Sequence, residues 1–324
     1  MGVTTSISTS TSTAMTPRVR GRVQRALLAW GDAHGQEFPW REARNPYWAL
    51  VAAVASQQTQ MARVFPLWER WTAAFPTLEA CATAETADAL RVWAGAGYPK
   101  RALALRETAQ RCMAEHGGAL PRDREALLAL PGVGPFTAAI VQCFGWGDDG
   151  AAVDTNVVRV LGRLVHGDVQ PATDTPASAI RAAAEALLPR GEAGRWNAAL
   201  MDYGARVCTP RPKCEACVVA RDCAARPRFE AGEIAAPVRA QGTFAGSDRQ
   251  WRGRILRALR EADGAVRTST LVAGLASDDT EAARVRALLD ALCAGGFAWR
   301  HGAWCGLGER RGASTRVAGS EARR

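Results

Sequence analysis

Residues 130–141 read LPGVGPFTAAIV. Gly132 and Gly134 predict a tight turn between two helices, because glycine adopts backbone conformations that other residues avoid. The backbone N–H groups of such a turn, and the start of the helix that follows it, can approach a phosphate. The pattern is typical of a helix-hairpin-helix motif, which binds a nucleic-acid backbone irrespective of base sequence. We therefore expect Gly132, Val133, Gly134 and Thr137 to lie at that backbone; the alternative is a turn that serves packing alone.

The regions on both sides of this turn have helical patterns. Between residues 21 and 225, apolar residues recur at helical spacing, and turn signals such as NPY at 45–47 and GG at 117–118 separate the segments. Few alternating β-branched runs occur, so the fold class is predicted to be all-α. The predicted divisions are a disordered Ser/Thr-rich tail at 1–20, the helical domain at 21–225, a linker at 226–246, a winged-helix-like domain of three helices and a hairpin at 247–308, and a disordered basic tail at 309–324.

Composition and charge limit the function classes. The chain has 324 residues, 48% of them hydrophobic, and 41 basic against 32 acidic residues give a net charge of +9. A positive surface attracts polyanions such as nucleic acid, although charge alone is a weak indication. The Ser/Thr-rich start lacks the apolar core of a secretory leader, so we expect it to be a disordered tail. No stretch reaches the ~18 apolar residues of a membrane helix. We expect a reducing, cytoplasmic compartment without membrane contact, in which cysteines are thiols or metal ligands.

Four of the nine cysteines fall within sixteen residues. Cys208, Cys214, Cys217 and Cys223 have the spacing C-x5-C-x2-C-x5-C. Four thiolates so close in sequence suit either a tetrahedral zinc site or a [4Fe–4S] cluster, and the spacing alone does not choose between them. Unliganded thiols are the weaker alternative. Basic residues between the ligands make the loop a possible phosphate contact, or an ordinary solvated loop: Arg206, Arg211, Lys213 and Arg221.

A third motif, VDTNVVRVLGRL, occupies residues 153–164. Asp154 stands where a new helix is predicted to begin. Taken alone, an aspartate at this position is most simply a helix N-cap, whose carboxylate accepts hydrogen bonds from the first turn.

Together these motifs resemble the helix-hairpin-helix DNA glycosylase superfamily. The turn at 130–141, VDTNV at 153–157 and LMDYGARVC at 200–208 carry the resemblance, which covers roughly residues 22–225. The stretch FPWREARNPYWALVAAVASQQTQ at 38–60 looks like the adenine glycosylase (MutY) branch. The resemblance implies a two-lobed all-α fold with a [4Fe–4S] loop at 206–224. It also implies an enzyme of base excision repair that flips a nucleotide out of duplex DNA and cuts its N-glycosidic bond.

The resemblance also implies roles for individual residues. Asp154 matches the carboxylate that stabilises the oxocarbenium-like sugar, and Asn156 matches the residue that orients it. Trp40 and Arg41 match the wall of the base pocket, and Gln58 and Tyr98 match residues that wedge into the duplex. Gln57 belongs to the same set of pocket and wedge residues. The four cysteines match the cluster ligands, although their first gap is one residue shorter than is usual in the family. Zinc therefore remains the alternative to [4Fe–4S].

Two positions depart from the family pattern. Phe136 stands where bifunctional relatives have a Schiff-base lysine, so no lysine-dependent lyase activity is expected. Ala53 stands where the adenine branch has the glutamate that protonates the departing adenine. Without that acid, adenine should leave at least ~10²–10⁴-fold more slowly, whereas thymine and uracil anions are better leaving groups. Glu42, another acid or a water chain are the alternative proton donors.

The function expected from these residues is monofunctional excision of a mispaired or damaged base, with a preference shifted toward thymine or uracil opposite guanine or toward a labile base. One alternative is an adenine glycosylase acting on adenine opposite oxidised guanine or guanine. Another is a non-catalytic protein that binds mismatches or lesions, and a metal-responsive regulator is remote. The expected partner is double-stranded DNA, bound by a monomer in the bacterial nucleoid. Residues 247–308, which resemble the short end of actinobacterial members, offer a basic helix for DNA or for a repair protein.

Overall fold

A computed structural model describes residues 15–236, 243–262 and 264–310. Residues 1–14 and 311–324, which make up most of the predicted tails, and residues 237–242 of the predicted linker lie outside this part of the chain. Backbone contacts separate the described residues into two compact units. The first contains residues up to Met61 and from Leu120 to 236. The second contains residues from Ala62 to Ala119 and the two segments 243–262 and 264–310.

The first unit is helical throughout. Its helices are α1 (Pro17–His34), α2 (Pro39–Glu42), α3 (Pro46–Ser56), α8 (Arg124–Leu128), α9 (Pro135–Ile140), α10 (Thr155–Leu161), α11 (Pro171–Asp174), α12 (Ala177–Leu187), α13 (Ala193–Arg206) and α14 (Arg226–Glu230). Single π-helical turns, Val141–Trp146 and Gly162–His166, continue α9 and α10, and 3₁₀ turns lie at Cys214–Ala216 and Ala220–Asp222.

The second unit combines helices from the middle of the chain with its C-terminal segment. It contains α4 (Met61–Ala74, which begins at the boundary), α5 (Leu78–Thr83), α6 (Thr86–Val92), α7 (Lys100–Glu115), α15 (Asp248–Glu261), β1 (Val266–Arg267), α16 (Thr268–Leu275), α17 (Asp279–Ala294), β2 (Ala298–His301) and β3 (Trp304–Leu307). The strands form an antiparallel sheet of order β1-β3-β2, in which Ala298 pairs with Leu307 and Val266 with Cys305.

The all-α fold class is confirmed, since this small sheet is the only one among the described residues and the other elements are helical. The three helices and the hairpin expected between 247 and 308 are present, with the two-residue β1 as an addition. Within the second unit, Thr86 donates a hydrogen bond to Glu309 and α6 packs against α15 and β3. The proposed division of the chain into domains remains a prediction.

Two expected boundaries differ in detail from the structure. The first helix begins at Pro17, inside the predicted tail, because proline suits the first helical position and Thr16 caps it by accepting from the Val19 N–H at 3.4 Å. Helix α14 occupies the start of the predicted linker. No helix among the described residues is long and apolar enough to cross a membrane.

Two apolar clusters position the functional segments of the first unit. The larger one joins α1, α10 and α13 through residues such as Leu27, Leu161 and Trp196, and three of the four motif cysteines pack against it. The second joins α3, α9 and the start of α13 through Ala49, Ala53, Ala139, Ile140, Cys143, Phe144, Ala152 and Ala193. The larger cluster therefore holds α10 against neighbouring helices, and the second cluster holds the segment that precedes α10.

Candidate active site and cysteine loop

Asp154 is the N-cap of α10. Its Oδ1 accepts a hydrogen bond from the Val157 N–H at 2.7 Å, and its Oδ2 accepts one from the Asn156 Nδ2 at 2.8 Å. The helix N-terminus also favours a negative charge here. Asp154 is therefore a helix N-cap, and its carboxylate accepts two hydrogen bonds, one of which comes from Asn156 and orients it.

Burial acts against the charge of this carboxylate. Desolvation raises the pKa of Asp154 above its ordinary value, while the N–H groups of Val157 and Asn156 and the charge of Arg159 lower it. Desolvation is the largest of these effects, so the site holds a carboxylate that is less hydrated than a surface aspartate. A partly dehydrated carboxylate stabilises a nearby developing positive charge more strongly than one in bulk water.

A hydrogen-bonded path runs from Asp154 to the cysteine loop. Asn156 accepts at Oδ1 from the Arg159 Nη2 at 2.8 Å, and the same guanidinium donates to the carbonyl oxygens of Gly204 at 2.6 Å and Cys208 at 2.5 Å. The residue that orients the carboxylate and the first motif cysteine therefore share one arginine. The sequence motif contained Arg159, but its spacing alone gave no sign of this connecting role.

Two residues outside the predicted set fix the surroundings of Asp154. Asn197, which is buried, accepts from the Ala152 N–H at 3.0 Å and donates to the Gly150 carbonyl at 2.7 Å, so α13 holds the segment leading to Asp154. Gly204 allows α13 to approach α10 closely, because a Cβ there would lie 2.7 Å from the Asn156 Cβ. Neither could be found from the sequence, since both act through contacts between distant segments.

Ala53 and Phe136 lie in the same apolar environment. Ala53 is only 2% exposed in the cluster formed by α3, α9 and α13, and Phe136 packs against that cluster. Every side chain assigned to the cluster is apolar, and α3 and α9 are in direct contact. The two positions that depart from the family pattern are thus neighbours of one core, which was not apparent from their separation of 83 positions in the chain.

The helix-hairpin-helix turn joins α8 to α9 as predicted. Gly132 has a φ of 73°, a conformation that favours glycine, and open space surrounds the Cβ position of Gly134. Val133 is buried and its N–H donates to the Leu130 carbonyl, and the buried Thr137 hydroxyl accepts from the Gln57 Nε2 at 3.3 Å. The side chains of Val133 and Thr137 therefore support the turn, and the contact of these residues with a nucleic-acid backbone remains a prediction.

Gln58 and Tyr98 share an unusual backbone conformation. Their φ angles are 54° and 46°, and Arg44, at 49°, is the third non-glycine residue of the described chain with a positive φ. Such conformations are strained for residues with a side chain and tend to occur at functional sites. Both side chains are exposed, Tyr98 by 47%. This geometry suits residues that project from the protein surface.

Trp40 and Arg41 have mainly structural contacts. Trp40 is buried and stacks on Phe38 with ring centroids 4.5 Å apart. The Arg41 guanidinium forms a two-pronged ion pair with the buried Asp202, at 2.8 and 3.0 Å, which joins α2 to α13. Arg41 also borders a cleft of about 270 Å³ together with Glu42, and Glu42 is exposed. The predicted roles of Trp40 and Arg41 in a base pocket remain predictions.

The four motif cysteines lie in one loop, and each is partly buried. Cys208 and Cys217 accept hydrogen bonds from Arg163 Nη1 at 3.6 Å and from the Tyr203 hydroxyl at 3.0 Å. The buried Arg163 also donates to the carbonyl oxygens of Thr209 and Pro210. Cationic and hydroxyl donors directed at the sulfurs suit thiolates that carry negative charge in a metal centre. Within the described residues, no group of three or more His, Cys, Asp or Glu side chains converges as for a single metal ion.

Comparison with known proteins identifies a family for the central part of the chain. Residues 51–195 match the model of the HhH-GPD superfamily of base excision DNA repair proteins. An adenine DNA glycosylase of Mycobacterium tuberculosis is 41% identical over 266 residues, which are 81% of this chain and 86% of that protein.

Other relatives act on pyrimidines according to their names. A thymine/uracil-DNA glycosylase of Methanothermobacter thermautotrophicus is 32% identical over 60% of this chain and 89% of its own length. Among solved structures, a thermostable thymine-DNA glycosylase superposes with a TM-score of 0.60 at 30% identity, and the match covers 65% of this chain and 98% of the other. The scaffold is thus similar to proteins named for either base class.

Proposed function

Since the chain belongs to the HhH-GPD superfamily of base excision DNA repair proteins, in its adenine glycosylase (MutY-like) branch, we propose that this DNA glycosylase is monofunctional. Its preferred target is a thymine or uracil mispaired with guanine, or another base that leaves readily, rather than adenine. The reaction is hydrolysis of the N-glycosidic bond of a nucleotide flipped out of duplex DNA.

The surroundings of Ala53 carry this proposal. The position that holds the catalytic acid of the adenine branch presents a methyl group, 2% exposed, within a cluster of apolar side chains that includes Phe144 and contacts Phe136. An alanine cannot donate a proton. Its apolar neighbours in that cluster offer no hydrogen bond to an ordered water that would replace the acid, and a buried water needs two to four polar partners.

The leaving group decides which bases remain accessible. Adenine departs poorly as an anion, and its protonation by a positioned acid contributes ~10²–10⁴-fold to such a step. Thymine and uracil anions are more stable and depart with hydrogen-bond assistance alone. A site that has lost its acid but kept its carboxylate is therefore suited to pyrimidine release.

Asp154 provides the remaining catalysis in this proposal. As the glycosidic bond breaks, positive charge develops at C1′ of the sugar, and an oriented carboxylate of low hydration stabilises it. The hydrogen bonds from Val157 and Asn156 favour the ionised form of the carboxylate and fix its direction. Phe136 has no amine that could form a Schiff base with the sugar, which supports hydrolysis without a lyase step.

The exposed side chains with strained backbones support the base-flipping part of the proposal. Tyr98 presents an aromatic face that can fill the gap left by an extruded base, and Gln58 presents an amide. Gln57 is held by its hydrogen bond to Thr137 and thereby fixes the end of α3 against the helix-hairpin-helix turn.

The cysteine loop is proposed to hold a [4Fe–4S] cluster, with zinc as the less favoured alternative. The donor set fits, since four thiols lie in one loop and the sulfurs of two of them, Cys208 and Cys217, accept hydrogen bonds from Arg163 and Tyr203. When bound, the cluster would fix the loop from 208 to 223 in one conformation. A brown protein absorbing near ~400 nm would support iron–sulfur, and a colourless protein containing zinc would contradict it.

Adenine excision is the second candidate, favoured by the 41% identity to a named adenine glycosylase. It requires another proton donor. Glu42 lies exposed at the cleft bordered by Phe144, which packs with Ala53. A protein that only binds mismatches has no evident use for a carboxylate held out of water at a helix N-terminus, so Asp154 argues against that third possibility.

An excision assay on a panel of duplexes tests the proposal. Duplexes carrying U:G, T:G, A:G, adenine opposite oxidised guanine, and hypoxanthine are incubated with the protein and then cleaved with alkali at abasic sites. We expect release from U:G or T:G, and none by the matched variant Asp154→Asn. Adenine release that equals pyrimidine release, or no release from any duplex, would overturn the proposal.

A further inference from the structure

The second unit contains a cavity of about 360 Å³ between α15 and the segment 93–99. Its walls include Arg254, Arg257 and Arg260 and, among the residues that the structure describes, no carboxylate. Trp93, Gly95 and Gly97 line the side opposite α15. A pocket with cationic side chains of one sign is suited to an anion. Helix α15 lies outside the residues that the family model matches.

The arginines belong to one face of α15. Arg254, Arg257 and Arg260 follow at intervals of three, which places them as neighbours along a helix. Arg254 is held in place by the Trp251 ring, 4.2 Å below its guanidinium carbon, and by the Leu275 carbonyl at 2.9 Å. Arg257 is exposed and Arg260 is half-buried. Arg254 and Arg257 are thus both accessible to solvent, and the Arg254 guanidinium is also fixed by its own contacts.

The opposite wall allows close approach to the backbone. Gly95 and Gly97 have φ angles of 82° and 72°, and nothing lies within 4 Å of the Cβ position of either. The segment is nevertheless fixed, because the Trp93 indole donates to the Gly97 carbonyl at 3.0 Å and the Arg101 guanidinium stacks 4.9 Å from the Tyr98 ring. A ligand can therefore reach a backbone that is both bare and ordered.

The charges of the cavity are not balanced internally. The pKa of Arg260 lies below its ordinary value, chiefly because of burial and also because of the neighbouring charge of Arg257, while Glu261 acts in the opposite direction. An anion bound between the guanidiniums would relieve this repulsion. The geometry and the charge pattern point to the same class of ligand.

We propose that this cavity binds phosphate groups of the DNA strand beside the point where Tyr98 enters the duplex. The proposal rests on the proposed function, because Tyr98 is the wedge residue there. Gly97 lines the cavity and is the residue directly before Tyr98, about 3.8 Å away between Cα atoms. A strand whose bases are parted by Tyr98 carries its phosphates within reach of these arginines. The C-terminal helix α15 would in this way extend the DNA-binding surface.

The salt dependence of DNA binding tests the proposal. Each phosphate contact contributes about 0.9 to the slope of log Kd against log salt, so Arg257→Gln should reduce that slope by about 1. The double variant Arg254→Gln/Arg257→Gln should reduce it by about 2, which shrinks the loss of affinity between ~50 and 200 mM salt about tenfold. Arg252→Gln is the matched control, because Arg252 is exposed on the same helix but does not line the cavity.

Neutral methylphosphonate linkages, placed one at a time along the strand, locate the contact. We expect the wild-type protein to lose affinity at one or two adjacent linkages near the mismatch, and Arg257→Gln to be insensitive at the same linkages. The proposal would be overturned if Arg257→Gln and Arg252→Gln had equal slopes of log Kd against log salt and if no neutral linkage affected the wild type and Arg257→Gln differently. The proposal would also be overturned if binding of an acidic protein depended on Arg257 while binding of DNA did not.

Failure of this proposal is distinguishable from failure of the proposed function. Binding is measured on an intact duplex and needs no excision, so unchanged slopes in a protein that still releases a base refute the cavity alone. Absence of base release, with DNA binding that depends on Arg257, refutes the excision function and leaves the phosphate site supported.

Discussion

Restoring a proton donor at position 53 should restore adenine chemistry. In Ala53→Glu the new carboxyl lies in an apolar cluster, where the present side chain is 2% exposed. Burial raises the pKa of such a carboxyl, so a large fraction carries the proton that the departing adenine requires. We expect adenine release to rise by ~10²–10⁴-fold, which corresponds to about 3–5 kcal/mol of barrier.

The substitution also has a structural cost. Adding a larger side chain to a packed cluster destabilises a protein by about 1–3 kcal/mol, so the variant should melt at a lower temperature than the wild type. Phe136→Ser makes room beside it, and the double variant Ala53→Glu/Phe136→Ser should retain the gain in adenine release with less loss of stability. Ala53→Gln is the matched control, since it has nearly the same size and shape but no acidic proton.

Single-turnover excision of adenine opposite oxidised guanine provides the assay, with uracil opposite guanine measured in parallel. The reasoning predicts that Ala53→Glu accelerates adenine release while Ala53→Gln does not, and that uracil release changes little in either. A wild-type protein that already releases adenine rapidly, with no acceleration in Ala53→Glu, would refute it.

Three further predictions concern the carboxylate and its connection to the cysteine loop. Asn156→Ala removes a donor that favours ionised Asp154, so its pKa rises further and the acid limb of the pH–rate profile should move to higher pH. Because the folded-state pKa of Asp154 is already raised, ionisation of this carboxyl lowers the stability of the protein as the pH rises through that pKa. Asp154→Asn should therefore have a higher melting temperature than the wild type at neutral pH. Calorimetry should show that the difference disappears in acid. Arg159→Gln removes hydrogen bonds to the Gly204 and Cys208 carbonyls. We expect the free energy of unfolding in urea to fall by about 3 kcal/mol, and the absorbance of the proposed cluster to be lost more readily.

Local signals in the sequence predicted the features that depend on neighbouring residues. The glycine pattern at 132 and 134 determines a turn over a few residues, and the aspartate before Thr155 determines a helix start, so both were evident without a structure. The cysteine spacing likewise concentrated four thiols in one loop. These features are encoded within single stretches of chain.

Features that join distant segments could not be predicted in the same way. Asp202 reads as a polar residue within a helix, yet it is buried because Arg41, 161 residues away, neutralises it. The contact of Gly204 with Asn156 and the shared core of Ala53 and Phe136 also depend on tertiary packing. The burial of the Thr137 side chain likewise depends on helix packing, and its predicted place at the DNA backbone remains a prediction.

The ratio of two excision rates tests the central claim most directly. Wild-type protein in excess over substrate is mixed with a duplex containing uracil opposite guanine, and separately with one containing adenine opposite oxidised guanine, at the same pH and salt. The apolar surroundings of Ala53 predict faster release of uracil than of adenine. Release of adenine at an equal or faster rate would contradict the claim, and its loss in Glu42→Ala would identify Glu42 as the replacement acid.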